Sequence, residues 1–251
     1  MPLADGTNDE REDPLPPLKW TCAADIKDCK VYGSQFSPPC YKVLLILKYY
    51  KIPCELIEAS AGNPVVPNGS YKKIPVLIAS GRTVNDSSVI VKELLKACAP
   101  EGDQFDADLN DAITFGLQPA IECDVLSNSA DLKAIAMKMV SRSLYLVPGF
   151  LLVKGIGNGI TGSIKKKNPD MLPALDYGTR FKASLHGKPY HGGDAPDGMD
   201  LSYFGTVFPF HNGAGSVVDE HLKAAGLMEW YLRMGELMPP AYSLKSKYMW
   251  W

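Results

Sequence analysis

Apolar and polar residues alternate with two different periodicities along this chain, one in each half. In the first half, residues 30–32 and 54–58 have strand character, and residues 40–50 between them repeat apolar side chains at helical spacing. Ser37 and Pro38 stand just before that run, where an N-cap and a first helical residue belong. The pattern therefore predicts a strand–helix–strand unit.

A hairpin and a second helix are predicted next. Residues 75–79 are expected to form a buried strand, a turn at 80–82 leads into a strand at 83–85, and Asp86 begins a helix that runs to about residue 97. Pro75 must open its strand, because a sheet tolerates proline only at strand starts and edges.

From about residue 106 onward the chain favours helices. The expected helical segments are 106–125, 130–154, 171–187, 200–210 and 217–236. Gly155 is expected to mark a kink or an end, and the lysines at 165–167 to lie in a solvated loop. Asp197 and Asp200 have the spacing of a capping box. A half with strands followed by a helical half predicts an α/β plus all-α fold class.

Composition narrows the function classes. Of the 251 residues, 46% are hydrophobic and 22% are charged, as is typical of globular chains. With 26 Lys and Arg against 28 Asp and Glu, the net charge of −2 lacks the basic surplus that nucleic-acid binding needs. The most apolar stretch, residues 144–153, is shorter than the roughly 18–20 residues of a transmembrane helix, so a core or interfacial helix is predicted there.

The cysteines and histidines suggest no metal site. The six cysteines are irregularly spaced and include no CxxC pair, and the four histidines lack ligand spacing. His186 and His191 are expected at the surface. The acidic, proline-containing start has neither signal-peptide nor transit-peptide character. We therefore expect an intracellular reducing compartment, cytoplasmic or mitochondrial, and leave the choice open in case a presequence was removed.

Three motifs carry a resemblance to a known family. They are YKKIPVL at 71–77, VNDSSVI at 84–90 and GKPYHGG at 187–193, extended by EWYLR at 229–233. With them the chain resembles the glutathione transferase superfamily, most closely its membrane-associated prostaglandin E synthase type 2 group. The resemblance implies a thioredoxin-like domain at 29–99 and a helical domain at 106–240. The acidic, proline-containing start predicts an extended or disordered tail at 1–28, and the last residues form an aromatic tail at 241–251.

The resemblance also implies a glutathione site. Ile74 and Pro75 would pair with the cysteinyl part of glutathione like an added strand. Ser87 would hold the γ-glutamyl carboxylate and Asp86 would orient it, although both also fit an ordinary helix cap. An apolar pocket facing the helical domain would take a small electrophile. Haem binding is implied by the resembled group alone, and nothing in the histidines argues for it.

The loop Ser37-Pro38-Pro39-Cys40 departs from the resembled group, which carries a cysteine at both ends of this loop. A serine cannot become a thiolate, so dithiol exchange is not expected. Ser37 and Cys40 are the candidate catalytic residues, and Ser37 would donate a hydrogen bond to the sulfur of glutathione. The alternative is a rigid helix start with Cys40 as a small buried residue.

Two function classes stay open. The first is a glutathione-dependent transferase or isomerase acting on a small apolar electrophile. The second is a non-catalytic accessory subunit of a larger complex, in keeping with the missing cysteine. A homodimer fits either class. The aromatic residues at 248–251, preceded by Lys245 and Lys247, would contact a membrane surface or a partner, or pack back on the chain.

Overall fold

The computed structural model describes residues 20–59, 71–99, 105–140 and 150–238, with the side chains of 136–140 and 150–156 left aside. These residues divide into two compact units, one ending at Phe105 and the other formed by Asp106–Leu237. Residues 1–19 of the predicted N-terminal tail and the aromatic tail at 241–251 lie outside the described residues.

The first unit is built on a four-stranded mixed sheet in the order β2-β1-β3-β4. Its elements are β1 (Cys29–Gly33), α1 (Pro38–Tyr49), β2 (Cys54–Glu58), β3 (Val76–Ala79), β4 (Arg82–Asn85) and α2 (Ser87–Cys98). Strand β1 pairs in parallel with β2 and antiparallel with β3, and β3 pairs antiparallel with β4. The thioredoxin-like fold predicted for this half is confirmed.

Period-two alternation explains which face of the sheet is buried. In β1, Cys29, Val31 and Gly33 are buried whereas Lys30 is exposed, and Cys54 and Leu56 of β2 alternate in register with them. The helices α1 and α2 pack against each other, and α1 contributes an almost continuous set of buried apolar side chains. This packing holds the first turn of α1 close to the end of β1.

The second unit is helical, as predicted. Its elements are α3 (Ala107–Asp111), a π-helical turn (Ala112–Leu117), α4 (Gln118–Ser127), α5 (Ser129–Val140), α6 (Phe150–Lys167), α7 (Ala174–Ser184), α8 (Gly198–Val207), a 3₁₀ turn (Phe208–Phe210), α9 (Val217–Ala224) and α10 (Met228–Leu237). The predicted capping box of α8 is present, since Asp197 and Asp200 accept each other's backbone N–H groups. Among the described residues, no helix is both long and apolar enough to span a bilayer.

Three local predictions in this unit differ from the structure. Gly155, expected at a kink or an end, lies inside α6, and the three lysines at 165–167 form the last turn of α6 rather than a loop. Exposed lysines are favourable there because they face the negative end of the helix dipole. The segment expected as one helix at 217–236 is two, separated at Gly226, whose φ of 65° no α-helix contains.

Candidate functional site

Three loops of the first unit meet at one end of the sheet. The register places Tyr32, near the end of β1, beside Val76 at the start of β3, and Val76 beside Asn85 at the end of β4. The loop from β1 to α1, the residues before β3 and the start of α2 therefore lie at the same sheet end. This brings Ser37, Pro75 and Asp86, which are far apart in the sequence, into one neighbourhood.

Ile74 and Pro75 lie at the entry to β3. The peptide bond between them is cis, and the ladder to β4 begins one residue later, at Val76. Pro75 is buried and Ile74 is half-buried. The backbone of Ile74 therefore stands at the open end of the sheet, where an extended peptide could continue the strand pairing.

The start of α2 forms the second part of this site. Asp86 is the N-cap, and its carboxylate accepts a hydrogen bond of 2.9 Å from the backbone N–H of Ser88. Its φ of 70° is rare for a residue other than glycine, and such strain concentrates at functional sites. Ser87 is buried, and the side-chain oxygen of the neighbouring Asn85 is buried without a hydrogen-bond partner. A helix start of this kind favours a carboxylate ligand.

Ser37 is the N-cap of α1 by position, but its hydroxyl makes no capping bond. Pro38 and Pro39 occupy the first two helical positions and have no N–H to donate. The next two N–H groups, of Cys40 and Tyr41, both bond the backbone carbonyl of Ser37 at 2.9 and 2.8 Å. The Ser37 hydroxyl is instead a hydrogen-bonding partner of the Cys40 thiol.

Cys40 is enclosed by the first unit. Its side chain is fully buried, and a Cβ placed on Gly33 would lie 2.5 Å from its Sγ. Burial raises the pKa of the thiol to about 11 and outweighs the hydrogen bonds from the Ser37 side chain and the Ser34 backbone, which lower it. Cys40 is therefore protonated near neutral pH and has no free surface from which to attack a ligand.

A second polar cluster lies in the second unit and was not predicted as one. The buried Asp200 carboxylate accepts hydrogen bonds from the backbone of His191 (3.0 Å), Gly192 (3.3 Å) and Asp197 (3.0 Å) and from the indole of Trp230 (2.7 Å). The GKPYHGG motif is thus tied to α8 and α10 by one carboxylate. The signal was present in the sequence as the capping box, but its distant partners were not.

The histidines differ in their surroundings. His186 is exposed as predicted, whereas His191 is half-buried with its ring Nδ1 hydrogen-bonded to Asp197, which raises the pKa of His191. His221 is buried and bonds the Tyr203 hydroxyl at 2.7 Å. Haem binding, which the resemblance alone implied, gains no support from these contacts of His191 and His221. Within the described ranges, no three His, Cys, Asp or Glu side chains converge as a metal site would require.

Comparisons with known proteins are consistent with the thioredoxin-like fold of the first unit and the helical second unit. Residues 31–102 match the family described as glutathione S-transferase, N-terminal domain. A prostaglandin E synthase 2 of Danio rerio is 32% identical over 104 residues, covering 34% of this chain and 27% of that protein. A probable glutathione S-transferase of Oryza sativa subsp. japonica is 33% identical over 69 residues, covering 26% of this chain and 29% of that protein.

These two relatives are thus matched over less than a third of their own length. Among solved structures, a beta-etherase of Sphingobium sp. strain SYK-6 superposes with a TM-score of 0.50 at 14% identity, covering 82% of this chain and 94% of that one. An identity this low is informative about the fold alone.

Proposed function

We propose that the chain is a glutathione transferase-like protein that binds glutathione at the sheet end where β1, β3 and β4 meet α1 and α2. The reaction proposed is the transfer of glutathione to a small apolar electrophile, or a glutathione-dependent isomerisation. The observation that supports this proposal most is that Ile74, Asp86 and Ser87 lie together at that end of the sheet.

Each part of glutathione has a matching feature in this proposal. The cysteinyl backbone would pair with Ile74, next to the first ladder residue of β3. The γ-glutamyl carboxylate would accept hydrogen bonds from Ser87 at the start of α2, where the helix dipole favours an anion. Asp86 would receive the α-amino group, because its half-buried carboxylate keeps a second oxygen beyond the one that caps Ser88.

Ser37 is the proposed thiol-activating residue. A thiol of pKa about 8.5 needs a shift of about two units, or about 2.7 kcal/mol, to be mostly ionised at neutral pH. A hydroxyl donor can supply part of that stabilisation if Ser37 turns from the Cys40 sulfur to the sulfur of glutathione. Cys40 would not react; its burial supports a packing role beneath the site.

An activity of the prostaglandin E synthase 2 type is a narrower form of this proposal. It rests on the 32% identity to the Danio rerio protein, which covers 34% of this chain. The second candidate function is a non-catalytic accessory subunit. The two prolines at the start of α1 and the protonated, enclosed Cys40 favour it, because both weaken the thiolate site.

The thermal midpoint of unfolding with and without glutathione tests the binding site. Free glutathione at about a hundred times its dissociation constant should stabilise the protein by about 2.7 kcal/mol. Ser87→Ala should reduce that shift, whereas Ser163→Ala, on the exposed side of α6, should leave it intact. A protein whose midpoint does not move in millimolar glutathione would refute the proposed site.

A second measurement separates the two function classes. We expect wild-type protein, but not Ser37→Ala, to conjugate glutathione to a halodinitrobenzene electrophile, while both variants keep the glutathione-induced midpoint shift. Binding without conjugation in the wild type would contradict the transferase activity and leave the isomerase and the accessory subunit. Size-exclusion of the native protein from its source would then be expected to place it in a large complex.

A further inference from the structure

Two buried cysteines lie side by side at the end of the sheet opposite to the proposed glutathione site. Cys29 begins β1 and Cys54 begins β2, and the parallel register pairs them directly. Gly33, which adjoins the site, is at the other end of β1. The two thiols therefore take no part in the site described above.

The spacing of this pair falls in the range that a disulfide spans. Neighbouring strands lie about 4.8 Å apart. Register partners project to the same face, so both side chains enter the same buried layer, each with 4% of its surface exposed. A disulfide joins residues whose Cα atoms are roughly 4.4–6.8 Å apart, and the strand spacing lies within that range.

The two thiols also contact each other. Cys29 is hydrogen-bonded to the Cys54 sulfur, and this bond together with burial raises the pKa of Cys29. The two sulfurs are therefore within hydrogen-bonding distance of each other.

The remaining cysteines lack this arrangement. Cys40 packs under Gly33, and Cys123 lies in the second unit, where its Sγ bonds the Thr161 carbonyl at 4.0 Å. Cys22 is exposed and Cys98 is half-buried, and no strand register holds these two together. Only for Cys29 and Cys54, among the cysteines, does the sheet itself fix the separation of the sulfurs.

We propose that Cys29 and Cys54 form a redox modification site, in which a small peroxide converts the two thiols into a disulfide. One of the two thiols attacks a peroxide oxygen, the O–O bond breaks, and the thiol proton joins the departing hydroxide as water, so that a sulfenic acid remains on that cysteine. The sulfur of the other cysteine then attacks the sulfenic sulfur, the S–O bond breaks, and the second thiol proton leaves with the hydroxide as a second water. Two electrons pass from the sulfurs to hydrogen peroxide, which is reduced to two waters.

Peptide mapping after peroxide treatment tests this site. The fully reduced chain is exposed to hydrogen peroxide, its remaining thiols are alkylated, and it is digested with trypsin without reduction. We expect peptide 28–30 linked to peptide 52–72, with a mass two hydrogens below the sum of the two. Dithiothreitol should release both peptides, and Cys29→Ala or Cys54→Ala should abolish the linked species.

Cys123→Ala is the matched control, since it removes a thiol that is equally buried but has no cysteine beside it, and the linked peptide should persist in it. The wild-type map alone can refute the proposal, so it does not depend on the folding of any variant. Alkylation of both Cys29 and Cys54 after peroxide has oxidised Cys22 would overturn it. A link between Cys22 and Cys98 in place of the expected one would do so equally.

Discussion

Replacing Gly33 by alanine should destabilise the first unit through one identifiable contact. The added Cβ would lie 2.5 Å from the Cys40 Sγ and 3.2 Å from its Cβ, with the Pro75 Cα at 3.8 Å. Ordinary contacts between such atoms are about 3.5–4.0 Å. Cys40 is fully buried in the first turn of α1, so neither the sulfur nor the helix can withdraw without disturbing its other neighbours.

The expected size follows from the nature of this overlap. Overpacking a well-packed core by one methyl group typically costs about 1–3 kcal/mol. For a chain of this length that corresponds to a fall in the thermal midpoint of roughly 2–4 °C per kcal/mol. Because the same contact lies beneath Ser37 and Pro75, we expect glutathione binding to weaken together with stability in Gly33→Ala.

A double-mutant cycle isolates the contact. Cys40→Ala removes the sulfur and should itself cost about 1 kcal/mol, comparable to one buried methylene group. In that background Gly33→Ala should cost at least about 1 kcal/mol less than in the wild type, because the shortest contact is gone. Urea unfolding of the four proteins, followed by tryptophan fluorescence, measures both values.

The control is Gly235→Ala on α10, where nothing lies within 4 Å of the added Cβ. That substitution should leave stability unchanged or raise it by up to about 1 kcal/mol, because alanine is the better helix former. Equal costs of Gly33→Ala in the two Cys40 backgrounds would refute the reasoning, since the sulfur could not then be the obstacle.

Two predictions concern the second unit. Burial lowers the pKa of His221 to about 4. Between about pH 6.5 and pH 4 the His221 side chain is therefore protonated in the unfolded chain but neutral in the folded chain. The free energy of unfolding consequently decreases as the pH is lowered through this range. At pH 5 this loss amounts to about 2 kcal/mol relative to pH 7; urea unfolding at both pH values should show it in the wild type but not in His221→Gln, and equal pH dependence of the two would contradict it. Asp131 is buried at the start of α5 and accepts hydrogen bonds of 2.8 Å from the Asn212 side chain and the Val217 backbone. Asp131→Ala leaves both donors without their acceptor and should lower the free energy of unfolding, measured in urea, by about 2–3 kcal/mol. The control Asp124→Ala, at an exposed position on α4, should change it by less than about 0.5 kcal/mol. Similar values for the two variants would argue against the buried hydrogen bonds.

Local signals in the sequence were sufficient for the elements of the first unit. The alternation of apolar residues predicted β1 and β2, the proline predicted the start of β3, and Asp86 was correctly expected to cap α2. These features depend on sterics and hydrogen bonds between residues that are close in the chain, so they can be read without knowledge of the fold.

The same reasoning failed where distant contacts outweigh local propensity. The glycine-containing stretch of α6 remains helical, and Gly157 in it approaches the Leu132 side chain and the Leu126 carbonyl, so a small residue allows close packing there. The hydroxyl of Ser37 was expected to cap α1. The two prolines at the start of the helix have no N–H group to donate to it, and it is hydrogen-bonded to the buried Cys40 thiol instead.

The sequence by itself determined the strands and helices of the first unit, the Asp86 cap of α2, the helical character of the second unit, and the family motifs. Only the tertiary structure decided that Cys40 is enclosed under Gly33, and that Cys29 and Cys54 are neighbours. Strand register is set by the burial of whole sheet faces and by helix packing, which involve residues far apart in the chain. The chemistry available to each cysteine therefore depends on packing that no local pattern of residues encodes.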